Sequence, residues 1–215
     1  MAYEGRLAMK DVLICLDWDG TVMDTFSKIH AAIQESAKRC GFELPAHMTL
    51  DQILGWTPEK IWSKMQCATL KPVKPQYFFS QIKQLIHQTP SSLFPRAREA
   101  LDLASGMADI VVVSNRSSQL IRAEIEREGI CDYFLHIYSA HEYRRKPNPE
   151  MILQAQIDYP NRHVVMIGDS FADRSAAKRA GVEYLEVDHY LDQPCDLFDV
   201  MCRLVERYAN YDRYI

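Results

Sequence analysis

The stretch "DVLICLDWDGTVMDT", Asp11 to Thr25, decides the fold. Leu13, Ile14, Cys15 and Leu16 run straight into Asp17 and Asp19, with Trp18 between the two acids and Gly20 and Thr21 behind them. An unbroken apolar run of this length suits a parallel strand covered on both faces. Two carboxylates at the end of such a strand require a compensating positive charge.

Working outward, residues 110–114 and 164–167 repeat the pattern of residues 12–16, and 135–139 and 183–187 are weaker runs of the same sort. Helical periodicity falls between them, at 97–104, 117–128, 149–156, 171–180 and 196–208. The alternation predicts an α/β, Rossmann-like core with a parallel sheet. Residues 24–89 break the rhythm with helices at 26–40 and 75–89, a start near Thr49, another helix at 58–66, a loop at 71–75 and no convincing strand. Pro58 behind Thr57 fits a first-turn proline, and Thr49 with Gln52 fits a capping box. The expected organisation is a core of residues 1–22 and 91–215, with an all-helical cap inserted at 23–90. Gly41, Gly106, Gly129 and Gly181 each follow a helical stretch and are expected to close it in the left-handed conformation.

The 215 residues, 47% of them hydrophobic and 25% charged, fit one or two soluble domains and argue against disorder. A net charge of -4 gives no general attraction for a nucleic acid polymer or an acidic membrane, although a local basic pocket can still hold a phosphate. Six scattered cysteines lack the paired spacing of zinc sites and read as reduced, mostly buried small hydrophobes. No run approaches the roughly 20 apolar residues of a membrane span, and the amino terminus does not read as a signal peptide, so a cytoplasmic protein is expected.

In a parallel α/β sheet, ligands sit beyond the carboxyl ends of the strands. Four polar clusters fall there: Asp17 with Asp19, Ser114 with Asn115, the basic run Arg144, Arg145 and Lys146, and Asp169 with Asp173. Each has a plain structural reading as a cap, a turn or a solvated loop; their order and placement give them joint meaning. Asp17, Asp19 and Asp169 would repel one another without a hard cation, and Mg2+ prefers such oxygen ligands, with manganese also chemically acceptable. Lys146 suits a phosphate oxygen, while Ser114, Asn115 and backbone amides, that of Trp18 among them, add donors. Asp173, four residues past Asp169, is placed to hold a metal-bound water or the Lys146 ammonium. Thr21 is expected to fix the loop or Asp17 through its hydroxyl and, with Trp18, Ser114, Asn115 and Lys146, to contribute to substrate binding, and Gly20 to let the chain turn. The Trp18 ring reads as packing. Arg116 has two readings, a substrate contact or a solvated helix-start arginine.

These residues carry a resemblance. "DWDGT" at 17–21, "SN" at 114–115, "KP" at 146–147 and "GDSFAD" at 168–173 stand in the order of the haloacid dehalogenase-like hydrolase superfamily, and the chain resembles its phosphoglycolate phosphatase-type small-molecule phosphatases with a helical cap. The resemblance implies that Asp17 is the nucleophile that forms an aspartyl phosphate. It implies that Asp19 protonates the leaving oxygen, activates water and offers Mg2+ its backbone carbonyl. It further implies that Ser114 and Lys146 bind the phosphoryl group and that Asp169 is the remaining direct metal ligand. Such a site would act on a small phosphorylated metabolite. A phosphomutase with the same covalent intermediate is the alternative, and a non-catalytic phosphate-binding regulatory protein is the reading from outside the enzymes. Halide removal and phosphonate hydrolysis fit poorly, because their members depart from the pattern at the acid that this chain keeps as Asp19.

Specificity is expected in the cap, where Lys28, Arg39, Lys60 and Lys64 are candidate contacts and Trp56 and Trp62 candidate packing residues. The aromatic run at 208–215 suits either a homodimer contact or packing on the chain's own domain.

Overall fold

The computed structural model describes residues 11–41, 63, 74–189 and 194–211. The expected helix start near Thr49, the helix at 58–66, most of the 71–75 loop, and Trp56, Lys60, Trp62 and Lys64 lie outside the described residues.

The chain divides into two compact units, Met1–Met23 with Leu93–Ile215, and Asp24–Ser92. The first unit is built on a five-stranded sheet of β1 (Val12–Leu16), β4 (Ala108–Ser114), β5 (Phe134–Ser139), β6 (His163–Gly168) and β7 (Glu183–Glu186). The strand order is β5-β4-β1-β6-β7, and every neighbouring pair is parallel. β1 is therefore central, with Leu16 opposite Val112 on one side and Ile167 on the other. Helices α3 (Ala97–Ser105), α4 (Ser118–Glu128), α5 (Glu150–Asp158), α6 (Phe171–Ala180) and α7 (Leu197–Tyr211) follow in the same unit.

Alternation along the strands explains the layering. Val12, Ile14, Leu16, Ile110, Val112, Val165 and Ile167 pack with Leu101 of α3, Ile121 and Ile125 of α4, and Met201 and Leu204 of α7. Leu13, Cys15, Val111, Val113, Val164 and Met166 face the other way, onto Met151 and Ile152 of α5 and Ala176 and Ala177 of α6. Both faces are covered, so the strands read as continuous apolar runs with no polar alternation. Tyr208 joins the first of these clusters, and its ring lies 5.7 Å from that of His163, so this part of the terminal aromatic run packs on its own unit.

The second unit contains α1 (Thr25–Arg39) and α2 (Pro75–Gln88). Asp24 caps α1 by accepting from the Ser27 backbone N–H at 2.9 Å, and Pro75 opens α2 at a position whose N–H has no intrahelical partner. Arg39 bonds Glu35 at 2.8 Å and Gln81 at 3.2 Å, and the Lys28 ammonium approaches the Ser91 hydroxyl at 3.4 Å. The chain enters and leaves this unit through two short paired strands, β2 (Met23–Asp24) and β3 (Ser92–Leu93), which are too short to leave a hydrophobic pattern in the sequence.

Two expectations need correction. Gly106 closes α3 in the right-handed region at φ -68°, unlike Gly41, Gly129 and Gly181, because the turn into β4 continues the helical winding. The cysteines are not mostly buried: among the described ones Cys15 and Cys40 are, Cys195 and Cys202 are half-buried, and Cys131, opening a surface 3-10 turn, is exposed. No helix among the described residues is long and apolar enough to cross a membrane.

Burial on α3 and α4 separates two leucines sharply. Leu101 is fully buried and Leu120 is 50% exposed. Leu101→Ala should destabilise the protein by roughly 2–5 kcal/mol, whereas Leu120→Ala should stay within about 0.5 kcal/mol, as read from urea unfolding midpoints.

Candidate active site

The carboxyl ends of the central strands bring the expected clusters together. Asp17 leaves β1 with its backbone N–H still donating to Ile167 O at 2.9 Å, so the sheet itself fixes where its side chain begins. The chain then turns tightly: Val22 and Met23 both donate to Trp18 O, and Gly20 takes φ +83°, a conformation that glycine adopts without a Cβ penalty.

Lys146 is the centre of the site. Its ammonium lies 2.6 Å from Asp17 Oδ1, 2.5 Å from Asp173 Oδ1 and 2.7 Å from Val113 O, and the side chain is only 2% exposed. Burial opposes the charged form of this lysine, yet Asp17 and Asp173 overrule it and hold its pKa above the ordinary value. Asn115 places it. The amide accepts from Lys146 N–H at 2.7 Å and donates to Lys146 O at 3.0 Å, so both ends of the side chain are spent on the backbone of the lysine. Asn115, expected as a substrate donor, is thus a clamp on the lysine loop.

Asp17, Asp169 and Asp173 offer carboxylate oxygens within 4.8 Å of one another. Burial pushes Asp17 well above the carboxylate range despite Lys146, and the charges of Asp173 and Asp169 push the same way. Asp169 rises to about 6, first through burial and then through Asp173. The Thr21 hydroxyl is directed to Asp169 Oδ1 at 3.2 Å, so this fully buried residue holds Asp169, where the sequence suggested a loop, Asp17 or substrate contact.

Asp173 has two tasks. Its Oδ2 accepts from Ser170 N–H at 3.1 Å and pairs with the Ser170 hydroxyl, which in turn receives Asp173 N–H at 3.3 Å, forming a capping box at the start of α6. Its Oδ1 faces Lys146. This carboxylate packs so closely on β6 that a Cβ built on Gly168 would lie 2.6 Å from Asp173 Cγ.

Asp19 stands outside this three-acid group and has a partner of its own. Its Oδ1 receives Arg116 at 2.9 Å, and the other arm of that guanidinium bonds Glu124 Oε1 at 3.0 Å. Glu124 Oε2 accepts from the Trp18 indole N–H at 2.8 Å, while the ring packs edge-on against Phe134 at 5.8 Å. Arg116 is therefore an internal link between two carboxylates. Glu124 escaped the sequence reading because a glutamate on a helix gives no sign of being buried; a tryptophan between two strand-end acids, whose N–H needs an acceptor, was the available hint. Ser114, buried at the end of β4, accepts the Arg116 backbone N–H at 3.2 Å.

This geometry coincides with a family pattern. Residues 14–187 match the haloacid dehalogenase-like hydrolase family. The chain belongs to that family. Among its relatives, a phosphoglycolate phosphatase of Vibrio vulnificus (strain CMCP6) is 26% identical over 182 residues, covering 79% of this chain and 80% of that protein. A hydrolase from Streptococcus pneumoniae TIGR4 superposes with a TM-score of 0.70 at 22% identity, over 94% of this chain and 100% of the other. A putative beta-phosphoglucomutase from Thermotoga maritima gives 0.72 at 20% identity, over 91% and 99%. These two structures share the fold of this haloacid dehalogenase-like hydrolase.

Two outcomes follow from the geometry. Gly168→Ala should displace Asp173, loosen Lys146 and reduce any thermal stabilisation by an added divalent cation to less than half of the wild-type value, read by calorimetry. The raised pKa of Asp169 sets a pH dependence. Between about 4, the ordinary carboxylate range, and 6, the folded metal-free protein keeps a proton that the unfolded chain has released, so stability falls as pH rises through that window, by on the order of 3 kcal/mol. A divalent cation on the acidic group would need the ionised carboxylates, so any stabilisation it gives should grow over the same window, as melting curves at pH 4.5 and 7 with and without the ion would show.

Proposed function

We propose that the chain is a magnesium-dependent phosphomonoester hydrolase acting on a small phosphorylated metabolite through an aspartyl phosphate on Asp17. The observation that carries this reading is the buried Lys146 ammonium held at 2.6 Å from Asp17 Oδ1 and 2.5 Å from Asp173 Oδ1. One ammonium among three close carboxylates leaves negative charge uncompensated, and the donor set is all oxygen, which fits a hard divalent cation. Asp17, Asp169 and the Asp19 backbone carbonyl would hold it, with Asp173 committed to Lys146 and the capping box. Bound there, Mg2+ would supply positive charge against the phosphoryl oxygens.

An oxygen of the Asp17 carboxylate attacks phosphorus, and the bond to the leaving oxygen breaks as Asp19 gives that oxygen a proton. Lys146 and the Ser114 hydroxyl hold the transferring group. In the second step Asp19 takes a proton from water, water oxygen bonds to phosphorus, and the bond to Asp17 breaks. Trp18 contributes its backbone amide to the phosphoryl cradle, while Thr21 and Asn115 act by fixing Asp169 and Lys146. Residues 23–90 keep their expected role as a specificity cap within this proposal. The name of the Vibrio vulnificus relative favours water over a second phosphate acceptor.

Phosphate release from a panel of phosphorylated metabolites tests the proposal. Wild type should show Mg2+-dependent release, and Asp17→Asn should lower it by at least about 10³-fold while keeping its fold. Release that persists in Asp17→Asn would remove the covalent intermediate; transfer between sugar hydroxyls in place of release would make the protein a mutase.

A further inference from the structure

We infer that Arg116, gripped by the buried Glu124, is a positioning residue that aims the Asp19 carboxylate at the leaving-group oxygen. The inference rests on the phosphatase reading above and assigns a residue outside the four clusters.

Four observations converge on it. Arg116 uses different nitrogens for its two partners, Nη1 for Asp19 at 2.9 Å and Nη2 for Glu124 at 3.0 Å, so the planar fork fixes the distance between the two carboxylates. Glu124 is itself immobilised: its side chain is 7% exposed, and its second oxygen is taken by the indole N–H of fully buried Trp18. Trp18 directly precedes Asp19 in the chain, so the loop is tied to Glu124 of α4 twice, directly through the indole next to the acid and, by way of Arg116, through the acid's own side chain. The backbone of Arg116 is held as well, by its N–H to Ser114 Oγ at 3.2 Å.

This arrangement argues against both simpler roles for Arg116. Its side chain is only 20% exposed, so it is not a solvated surface arginine. Two carboxylates already neutralise it, which leaves little attraction for the anionic part of a substrate. A guanidinium spanning a more exposed acid and a buried one is suited to restricting the orientation of the former, and Asp19, with a side chain 32% exposed, is the less enclosed of the two. Protonation of a leaving oxygen depends on such orientation, since a general acid must lie within hydrogen-bond reach of the atom it serves.

The test separates leaving-group protonation from every other step. In Arg116→Lys the single ammonium keeps a positive charge beside Glu124 but cannot fork to both carboxylates. For an alkyl phosphomonoester, whose alkoxide leaves poorly without a proton, kcat/KM should fall by about 10- to 100-fold. For 4-nitrophenyl phosphate, whose phenolate leaves unaided, it should fall less than about threefold. In an Asp19→Asn background the same substitution should leave the ratio between the two substrates unchanged, because the two residues act as one unit. Equal losses on both substrates, or no loss on either, would overturn the inference while leaving the phosphatase reading intact; a wild type that hydrolyses neither ester would instead remove that reading. A crystal structure gives a readout independent of turnover. Asp19 should change its side-chain orientation in Arg116→Lys, and an unchanged orientation would sink the inference whatever the activity.

Discussion

One buried ammonium holds this site together. A lysine almost devoid of solvent contact is tolerable only because Asp17 and Asp173 lie within 2.6 Å of it, and the same two acids are tolerable only because the lysine is there. Losing one partner of such a pair would leave an uncompensated buried charge, at a cost of about 3–5 kcal/mol. The mutual dependence reaches across the sheet, since Asp17 directly follows β1, Asp173 lies in α6 after β6, and Lys146 follows β5. The remaining negative charge is what a divalent cation would neutralise, and the raised pKa values of Asp17 and Asp169 express the same deficit in proton terms.

Fold and chemistry share atoms at Asp173. One oxygen closes the capping box that starts α6, and the other faces the lysine, so the helix cannot begin elsewhere without moving the charge. Gly168 completes this constraint, because the carboxylate occupies the space that any Cβ would need. The "GD" at the end of β6 is thus a packing requirement as much as a chemical one. Asn115 plays the matching part opposite, converting the backbone of Lys146 into an extension of β4 through two hydrogen bonds.

The core was legible because both of its faces are covered. Residues 12–16 read correctly to the residue, and the four other strands were found with ends displaced by no more than two residues, since helices on each side turn strands into unbroken apolar runs. The convergence of the polar clusters also followed from topology, because parallel strands deliver their carboxyl ends to one edge. Illegible were the features set by single side-chain geometries. β2 and β3 carry two residues each, and nothing periodic can mark so short a pair. The clamp formed by Asn115 depends on a loop 31 residues away, and the burial of Glu124 on what lies over α4.

Trp18 shows how a local choice propagates. An aliphatic residue at that position would bury its side chain and ask for nothing more, but an indole N–H in a dry core requires an acceptor. Glu124 supplies one, and a buried carboxylate bonded only to a neutral N–H would still carry an unpaired charge. Arg116 answers that charge, and its second arm then reaches Asp19. Each step satisfies the burial cost of the one before, and the last places a cation beside the acid that the proposed chemistry requires. The orientation of Asp19 is in this sense set from the interior outward, by the core residue that precedes it in the chain.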